Sequence, residues 1–125
     1  MNKEQLLKYA LVAFGLIFVF GVYPLMYHLW PAGWRWQPGQ TEYEEMIIGV
    51  YFVLGLFLIF AAKAPRRHLS LIWFTVWSSL VHGGIMAWQA AVDAAEHGHF
   101  FGDVPALILT AVVLGTLTRG LQAEA

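Results

Sequence analysis

The stretch Leu69–Ala91, LSLIWFTVWSSLVHGGIMAWQAA, contains no lysine, arginine, aspartate or glutamate. A helix needs about 20 predominantly apolar residues to cross the hydrocarbon core of a bilayer. This stretch is long enough to do so, and it therefore predicts a transmembrane helix.

Apolar stretches of similar length occur at three other places in the chain, residues 9–27, 43–62 and 104–121. Hydrophobic residues make up 59% of the 125 residues and charged residues only 12%, whereas soluble proteins have about 25% charged residues. The segments that remain between these stretches are too short to fold separately. We therefore predict a single domain, residues 1–125, that is all-α: an integral membrane four-helix bundle with short loops and antiparallel neighbouring helices.

The basic residues predict the orientation of this bundle. If the N-terminus lies inside, the outer segments carry only Arg35, and the inner segments carry the other basic residues: Lys3, Lys8, Lys63, Arg66, Arg67 and Arg119. Cytoplasmic segments of membrane proteins carry an excess of lysine and arginine. We therefore expect a multi-pass membrane protein with both termini cytoplasmic (N-in/C-in).

Two classes of function are excluded by composition. The chain has no cysteine, which excludes disulfides and thiol redox chemistry. Its net charge is −1, and no polybasic segment indicates a nucleic-acid partner.

The third predicted helix carries a polar stripe. Its members recur at spacings of three and four residues, which places them on one helix face: Thr75, Ser78, Ser79, His82, Met86, Gln89 and Asp93. Polar side chains are costly in hydrocarbon unless they are paired, so they generally face the bundle interior. The hydroxyls can bond to carbonyls of their own helix. For His82, an interhelical hydrogen bond and a role in binding a ligand or proton both remain open.

The depth of residues along the helices indicates which side chains meet. At a rise of about 1.5 Å per residue, Tyr51 and Thr110 lie near the level of His82, whereas Glu45 and Gln89 lie nearer the external end. We therefore predict an externally open polar pocket whose ligand-binding residues are His82, Glu45, Gln89, Tyr51 and Thr110.

Two other acids are explained as helix caps. Thr41 is a suitable N-cap for the second helix, and Glu44, three residues later, completes a capping box. Asp103 is a natural N-cap for the fourth helix.

The outer rim predicts an alternative function. The sequence EHGH, residues 96–99, lies between two aspartates, and imidazole and carboxylate groups are common metal ligands. A bis-histidine haem is not expected, because His28 and His82 are separated by more than roughly 10 Å along the bundle axis at this rise. The rim thus favours a metal- or proton-handling membrane protein, with metal-ligand candidates His97, His99, Asp93, Asp103 and His28.

Three segments carry a family resemblance: residues 42–62 (EYEEMIIGVYFVLGLFLIFAA), 68–90 (HLSLIWFTVWSSLVHGGIMAWQA) and 98–110 (GHFFGDVPALILT). They resemble a group of uncharacterised bacterial four-helix inner-membrane proteins. In size and layout the chain is also similar to the DoxX-like small membrane proteins, some of which are associated with respiratory oxidoreductases. The resemblance implies a four-helix membrane fold and a location in the bacterial inner membrane. It favours an accessory or quinone-related role, but it supplies no catalytic residues.

Together these observations predict a small, non-catalytic accessory subunit or a binding protein for a quinone, a lipid or a similar molecule. The expected partners are membrane lipids, further copies of the chain or a larger membrane complex. Enzyme activity is not favoured, because Ser78 and Ser79 share a helix with His82 and no third group is evident to orient such a pair.

Overall fold

A computed structural model describes residues 1–36 and 41–124 of the chain. All regular structure in these residues is helical. Within these residues, four helices are long and apolar enough to cross a membrane, the last together with the short segment before it. They are α1 (Lys3–Leu29), α2 (Thr41–Ala61), α3 (Leu69–Val92) and α4 (Asp103–Thr118).

The bounds of α1 and α4 differ from the predicted ones for identifiable reasons. Helix α1 begins six residues before residue 9, because Asn2 and Gln5 form a capping box in which the Asn2 side chain accepts from the Gln5 amide at 2.8 Å. Helix α4 ends at Thr118 rather than at Leu121, since Gly120 adopts a left-handed conformation with φ 87°. Glycine tolerates this conformation and commonly ends helices.

Three short helical segments connect the long helices: Pro31–Trp34, Pro65–Arg67 and Ala94–Phe101. The first and third pack against each other backbone to backbone. A side chain at Gly102 would collide with the backbone of Gly33. We call this end of the bundle the loop end, and the opposite end, which carries both termini, the terminal end.

The long helices pack in two pairs, α1 with α2 and α3 with α4, and α1 also contacts α4. Glycines permit the closest approach, since a Cβ atom on Gly55 of α2 would lie 2.6 Å from the carbonyl oxygen of Gly15 in α1. In the described residues, α2 packs mainly against α1 rather than against α3.

The tightly packed core lies in the terminal half of the bundle. Its completely buried apolar side chains come from all four long helices: Leu7, Leu11, Leu58, Ile72 and Leu114. An ion pair between Arg66 and Glu4, with 3.0 Å between Nε and Oε2, closes this end. The loop half instead encloses a cavity.

The outer surface of the helices is apolar. Soluble proteins rarely expose large contiguous apolar patches, whereas this surface suits contact with hydrocarbon. Examples of exposed large side chains are Phe20, Val50, Phe57, Trp77 and Trp88.

Helix α1 departs from regular α-helical geometry in its second half. Two π-helical turns, Ile17–Gly21 and Leu25–Leu29, flank Pro24. Proline has no N–H and its ring clashes with the preceding turn, so the regular hydrogen-bond ladder cannot continue through it. This irregular half supplies one wall of the cavity, with Phe18, Val22 and Met26.

Candidate functional site: a cavity beneath a polar roof

A cavity of about 700 Å³ lies in the loop half of the bundle and is lined by all four long helices. Its volume is in the range typical of small-molecule pockets, about 300–1,000 Å³. Its walls are mainly apolar and include Phe14, Phe18 and Leu107. Exposed side chains of α2 and α3 form part of its rim, so the cavity reaches the surface between these helices; they are Tyr43, Ile47, Ile85 and Gln89.

Tyr51 and His82 meet across the cavity, as their depth in the sequence predicts. The Tyr51 hydroxyl lies 2.8 Å from His82 Nδ1, which is a hydrogen-bond distance and links α2 to α3. Thr110 is buried beside the cavity, and its hydroxyl donates to the Ala106 carbonyl at 2.8 Å. Gln89 lies at the rim, so four of the five predicted ligand-binding residues line the cavity.

Two hydroxyls of the polar stripe bond to carbonyls of their own helix, as predicted. Thr75 Oγ1 donates to the Leu71 carbonyl at 2.9 Å, and Ser78 Oγ donates to the Thr75 carbonyl at 3.3 Å. This pattern is ordinary back-bonding in helices.

At the start of α2, Glu44 occupies the position beside the cavity that the sequence predicts for Glu45. Glu45 is exposed and does not line the cavity, whereas Glu44 is 6% exposed and does. Glu44 Oε2 accepts hydrogen bonds from Arg35 Nε at 2.9 Å and from the Tyr27 hydroxyl at 3.1 Å. The placement is thus corrected by one residue, because adjacent positions on a helix face directions about 100° apart.

The carboxylates of Glu44 and Asp103, which the sequence predicts to cap α2 and α4, make other contacts in the structure. The Glu44 carboxylate bonds to Arg35 and Tyr27, and the side chain of Thr41 lies outside what the structure describes. Asp103 is the first residue of α4 rather than its N-cap, which is Gly102. Its carboxylate instead bonds to a histidine.

That histidine, His99, is completely buried at the loop end. Its Nδ1 lies 2.8 Å from Asp103 Oδ1, and its Nε2 lies 2.8 Å from the Arg35 carbonyl oxygen and 3.1 Å from Glu96 Oε2. Trp36 stacks on the ring at 4.0 Å between centroids. Because a carbonyl oxygen can only accept, Nε2 must carry a hydrogen, and Nδ1 and Asp103 then form a second hydrogen bond that holds a proton between them.

These contacts join into one network that we call the polar roof: Tyr27, Arg35, Glu44, Glu96, His99 and Asp103. Arg35 is the link, since its guanidinium bonds to Glu44 and its carbonyl to His99. The network ties α1, α2 and α4 to both segments of the loop end, and Glu44, Glu96 and Asp103 line the cavity. The signal for it in the sequence is Arg35, the one basic residue predicted at this end.

Two buried polar atoms next to the cavity have no hydrogen-bond partner among the described residues. They are Trp34 Nε1, which is a donor, and Glu44 Oε1, which is an acceptor, and both residues line the cavity. Buried polar atoms are nearly always hydrogen-bonded in folded proteins. Both atoms are enclosed by protein atoms, as is the unpartnered Thr118 Oγ1 at the terminal end, so they do not contact the open volume of the cavity.

Of the five candidate metal ligands, the structure brings together only His99 and Asp103. His28 and His97 are exposed, and Asp93 is exposed and accepts from the Ala95 amide at 3.0 Å. Within residues 1–36 and 41–124, no group of three or more His, Cys, Asp or Glu side chains could hold a metal ion. The roof carboxylates bond to the imidazole of His99 instead of converging with it on a common point.

The fold and the cavity define a class: a small four-helix protein whose helices can cross a membrane and whose loop half encloses a ligand-sized pocket. The chain belongs to the family of unknown function DUF6632, whose model matches residues 2–124. This membership agrees with the resemblance to an uncharacterised family. No curated protein and no solved structure matches the chain.

Proposed function

We propose that the protein is a small membrane protein that binds an amphipathic molecule in the cavity and does not itself catalyse a reaction. The observation that carries this proposal is a cavity with apolar walls that is also lined by polar side chains, namely His82 and the roof carboxylates of Glu44, Glu96 and Asp103. An amphipathic molecule would place its hydrocarbon part against the walls and its polar head at the roof. A quinone-like or lipid-like molecule has this shape.

We infer that the bundle is inserted in a bacterial inner membrane with both termini cytoplasmic. The charge pattern supports this orientation, because six of the seven basic residues belong to the termini or to the loop between α2 and α3. The polar roof then lies at the level of the outer headgroups. A ligand from the outer leaflet would enter between α2 and α3, where the cavity reaches the surface.

A binding role is favoured over catalysis by the bonding of the polar side chains. Ser78 donates to its own helix, and the Nδ1 atom of His82 bonds to Tyr51. A role as an accessory subunit of a larger membrane complex, or as a homo-oligomer, fits the exposed aromatic face of α3, which includes Phe74, Trp77 and Trp88. The similarity in layout to DoxX-like proteins supports the same role.

Photolabelling of the protein in membranes would test whether the cavity is occupied. A fatty alcohol that carries a diazirine would be crosslinked, and the modified residues would be mapped by peptide mass spectrometry. We expect labelling at cavity residues such as Phe18 and Met86 in preference to the exposed Trp77. Labelling confined to exposed residues would contradict the proposal.

A matched pair of variants provides the control. Ala106→Trp places a large side chain in the cavity, whereas Ala13→Trp places the same side chain on the exposed surface of α1. The first variant should lose the cavity label, and the second should keep it.

Proton handling is a second candidate, favoured by the buried hydrogen bond between His99 and Asp103. Proteoliposomes with an entrapped pH-sensitive dye would test it, with His99→Gln compared with His97→Gln at an exposed position of the same segment. Proton flux that is lost only in His99→Gln would support this function. Equal flux in protein-containing and empty liposomes would exclude it.

A further inference from the structure

We propose that His82 recognises a carbonyl oxygen of the ligand, to which its Nε2 atom donates a hydrogen bond. This inference rests on the proposed function, since it names a chemical group of the molecule that the cavity binds. It is carried by the hydrogen bond between Tyr51 and His82 and by the accessibility of the second ring nitrogen of His82.

The first ring nitrogen of His82 is occupied by Tyr51, whose hydroxyl lies 2.8 Å from Nδ1. The Tyr51 ring is held edge-on against Phe18, with 5.0 Å between the ring centroids. Its hydroxyl has one hydrogen, for which the described residues offer no acceptor other than Nδ1. A neutral imidazole has one N–H, and the bond made by one nitrogen determines which of the two carries the hydrogen. Tyr51 therefore donates to Nδ1, and Nε2 carries the hydrogen of the imidazole.

The Nε2 atom is accessible to a ligand. It has no hydrogen-bond partner among the described residues, and protein atoms do not enclose it, in contrast to Trp34 Nε1 and Glu44 Oε1. His82 is half-buried and lines the cavity. Because the cavity reaches the surface between α2 and α3, which Tyr51 and His82 connect, an accessible atom of His82 lies in the cavity or in its opening.

The surroundings of this N–H favour a carbonyl as its acceptor. The hydroxyls of Tyr51 and Thr110, at the same depth, already donate to His82 and to the Ala106 carbonyl. A hydroxyl on the ligand would bring a hydrogen of its own that needs another acceptor among apolar walls, where an unpaired polar group is costly. A carbonyl oxygen only accepts, and it is a stronger acceptor than an ether oxygen.

The depth of His82 places this carbonyl below the polar roof. Tyr51 follows Glu44, and Thr110 follows Asp103, by seven residues, which is roughly 10 Å along a helix. A lipid with an ester-linked chain carries a carbonyl below its head group, and a quinone carries carbonyls on its ring. Both sources supply the same acceptor, so the test has to distinguish them.

The test uses the purified full-length protein in detergent, with two probes added at saturating concentration. The probes are monomyristoylglycerol and a nonyl-naphthoquinone, each with and without an isotopic label at the carbonyl carbon. The infrared difference between labelled and unlabelled probe isolates the carbonyl band, whose frequency is lowered by a hydrogen bond. We expect at least one bound probe to absorb at a lower frequency in the wild-type protein than in His82→Leu. The probe that shows this shift identifies the source of the carbonyl as an ester lipid or a quinone.

The His82→Leu substitution should also weaken binding of that probe by about two- to tenfold, the range for loss of one hydrogen bond. His82→Gln supplies an amide donor in place of the imidazole N–H and should restore part of the shift. Ser78→Ala is the matched control, because the Ser78 hydroxyl bonds to its own helix, and it should keep the shift.

Tyr51→Phe tests which of the two side chains donates to the probe. Nε2 can still carry a hydrogen in this variant, so the shift should remain. A shift that is lost in Tyr51→Phe and kept in His82→Leu would make Tyr51 the donor and overturn the inference.

The outcomes separate this inference from the proposed function. If the probes bind, are lost in Ala106→Trp and absorb at the same frequency in the wild-type protein and His82→Leu, the cavity binds ligands but the inference is wrong. If neither probe binds, both the inference and the proposed function are overturned. Should His82→Leu not fold, the probe dissolved in hydrocarbon gives the reference frequency, and an unshifted band in the wild-type protein would overturn the inference.

Discussion

Replacing His99 by alanine should open the loop end of the bundle while the terminal half stays folded. The side chain is completely buried and contacts Asp103, Glu96 and the Arg35 carbonyl at 2.8 to 3.1 Å. Its removal leaves the buried Asp103 carboxylate without this partner, and breaking a buried pair in this way costs about 3–5 kcal/mol. Loss of the stacking on Trp36 adds roughly 0.5–1.5 kcal/mol.

Two measurements would check this prediction. Reversible unfolding in mixed micelles gives the change in the free energy of unfolding, and hydrogen exchange shows where the protein opens. We expect fast exchange at the amides of residues 94–102, with the core amides of α4 still protected. His97→Ala is the control, because His97 is exposed on the same segment and its replacement should change the stability by no more than about 0.5 kcal/mol. Equal effects of the two substitutions would refute the assignment of His99 as the centre of the roof.

Four further substitutions test the packing of α2, its contact with α3 and the role of His82. Gly55→Ala would force a Cβ atom to within 2.6 Å of the Gly15 carbonyl oxygen, so it should destabilise the α1–α2 contact by about 1–3 kcal/mol. Gly49→Ala on the same helix meets nothing within 4 Å and should stabilise by roughly 0.5–1 kcal/mol; a thermal unfolding scan that gives both variants the same sign would contradict the packing. Tyr51→Phe removes the hydroxyl that bonds to His82 and should cost about 1 kcal/mol. His82→Ala should abolish retention of a co-purified ligand without affecting membrane insertion, and unchanged retention would show that His82 only packs.

The fold could be predicted from the sequence because long apolar segments leave few alternatives. Four such segments give four helices, and the depth of residues along them correctly places Tyr51 beside His82. The rise per residue is a fixed property of the helix, so it allows distances along the bundle axis to be estimated from the sequence.

The polar roof could not be predicted in the same way. Its residues lie in connecting segments and at helix ends, where bonding depends on how the loops fold over the bundle rather than on helical periodicity. A capping box alone would explain an acid at position 44, yet Glu44 bonds to Arg35, nine residues earlier in the chain. Asp103 likewise satisfies the pattern of an N-cap but bonds to His99. Neither bond is a capping contact, because Arg35 comes from another segment and His99 lies four residues before Asp103, beyond the N-cap Gly102.

Depth along the bundle axis could not show which of two adjacent acids, Glu44 or Glu45, faces the cavity. Glu44 and Glu45 differ by only about 1.5 Å along the axis, but they face directions about 100° apart. The direction in which each side chain points is set by how α2 packs on α1. The close approach of Gly55 to Gly15 determines that packing. The single basic residue of the outer segments, Arg35, was the available indication that one acid would be drawn inward.

Native mass spectrometry of the gently solubilised protein, compared with Ala106→Trp and Ala13→Trp, tests the proposed binding function most directly. A cavity of about 700 Å³ with apolar walls and a polar roof should retain a ligand through purification. We predict a discrete small-molecule adduct on the wild-type chain and on Ala13→Trp, and its loss from Ala106→Trp. A bare chain in all three samples, or an adduct that persists when the cavity is filled, would contradict the proposal that the cavity is a binding site.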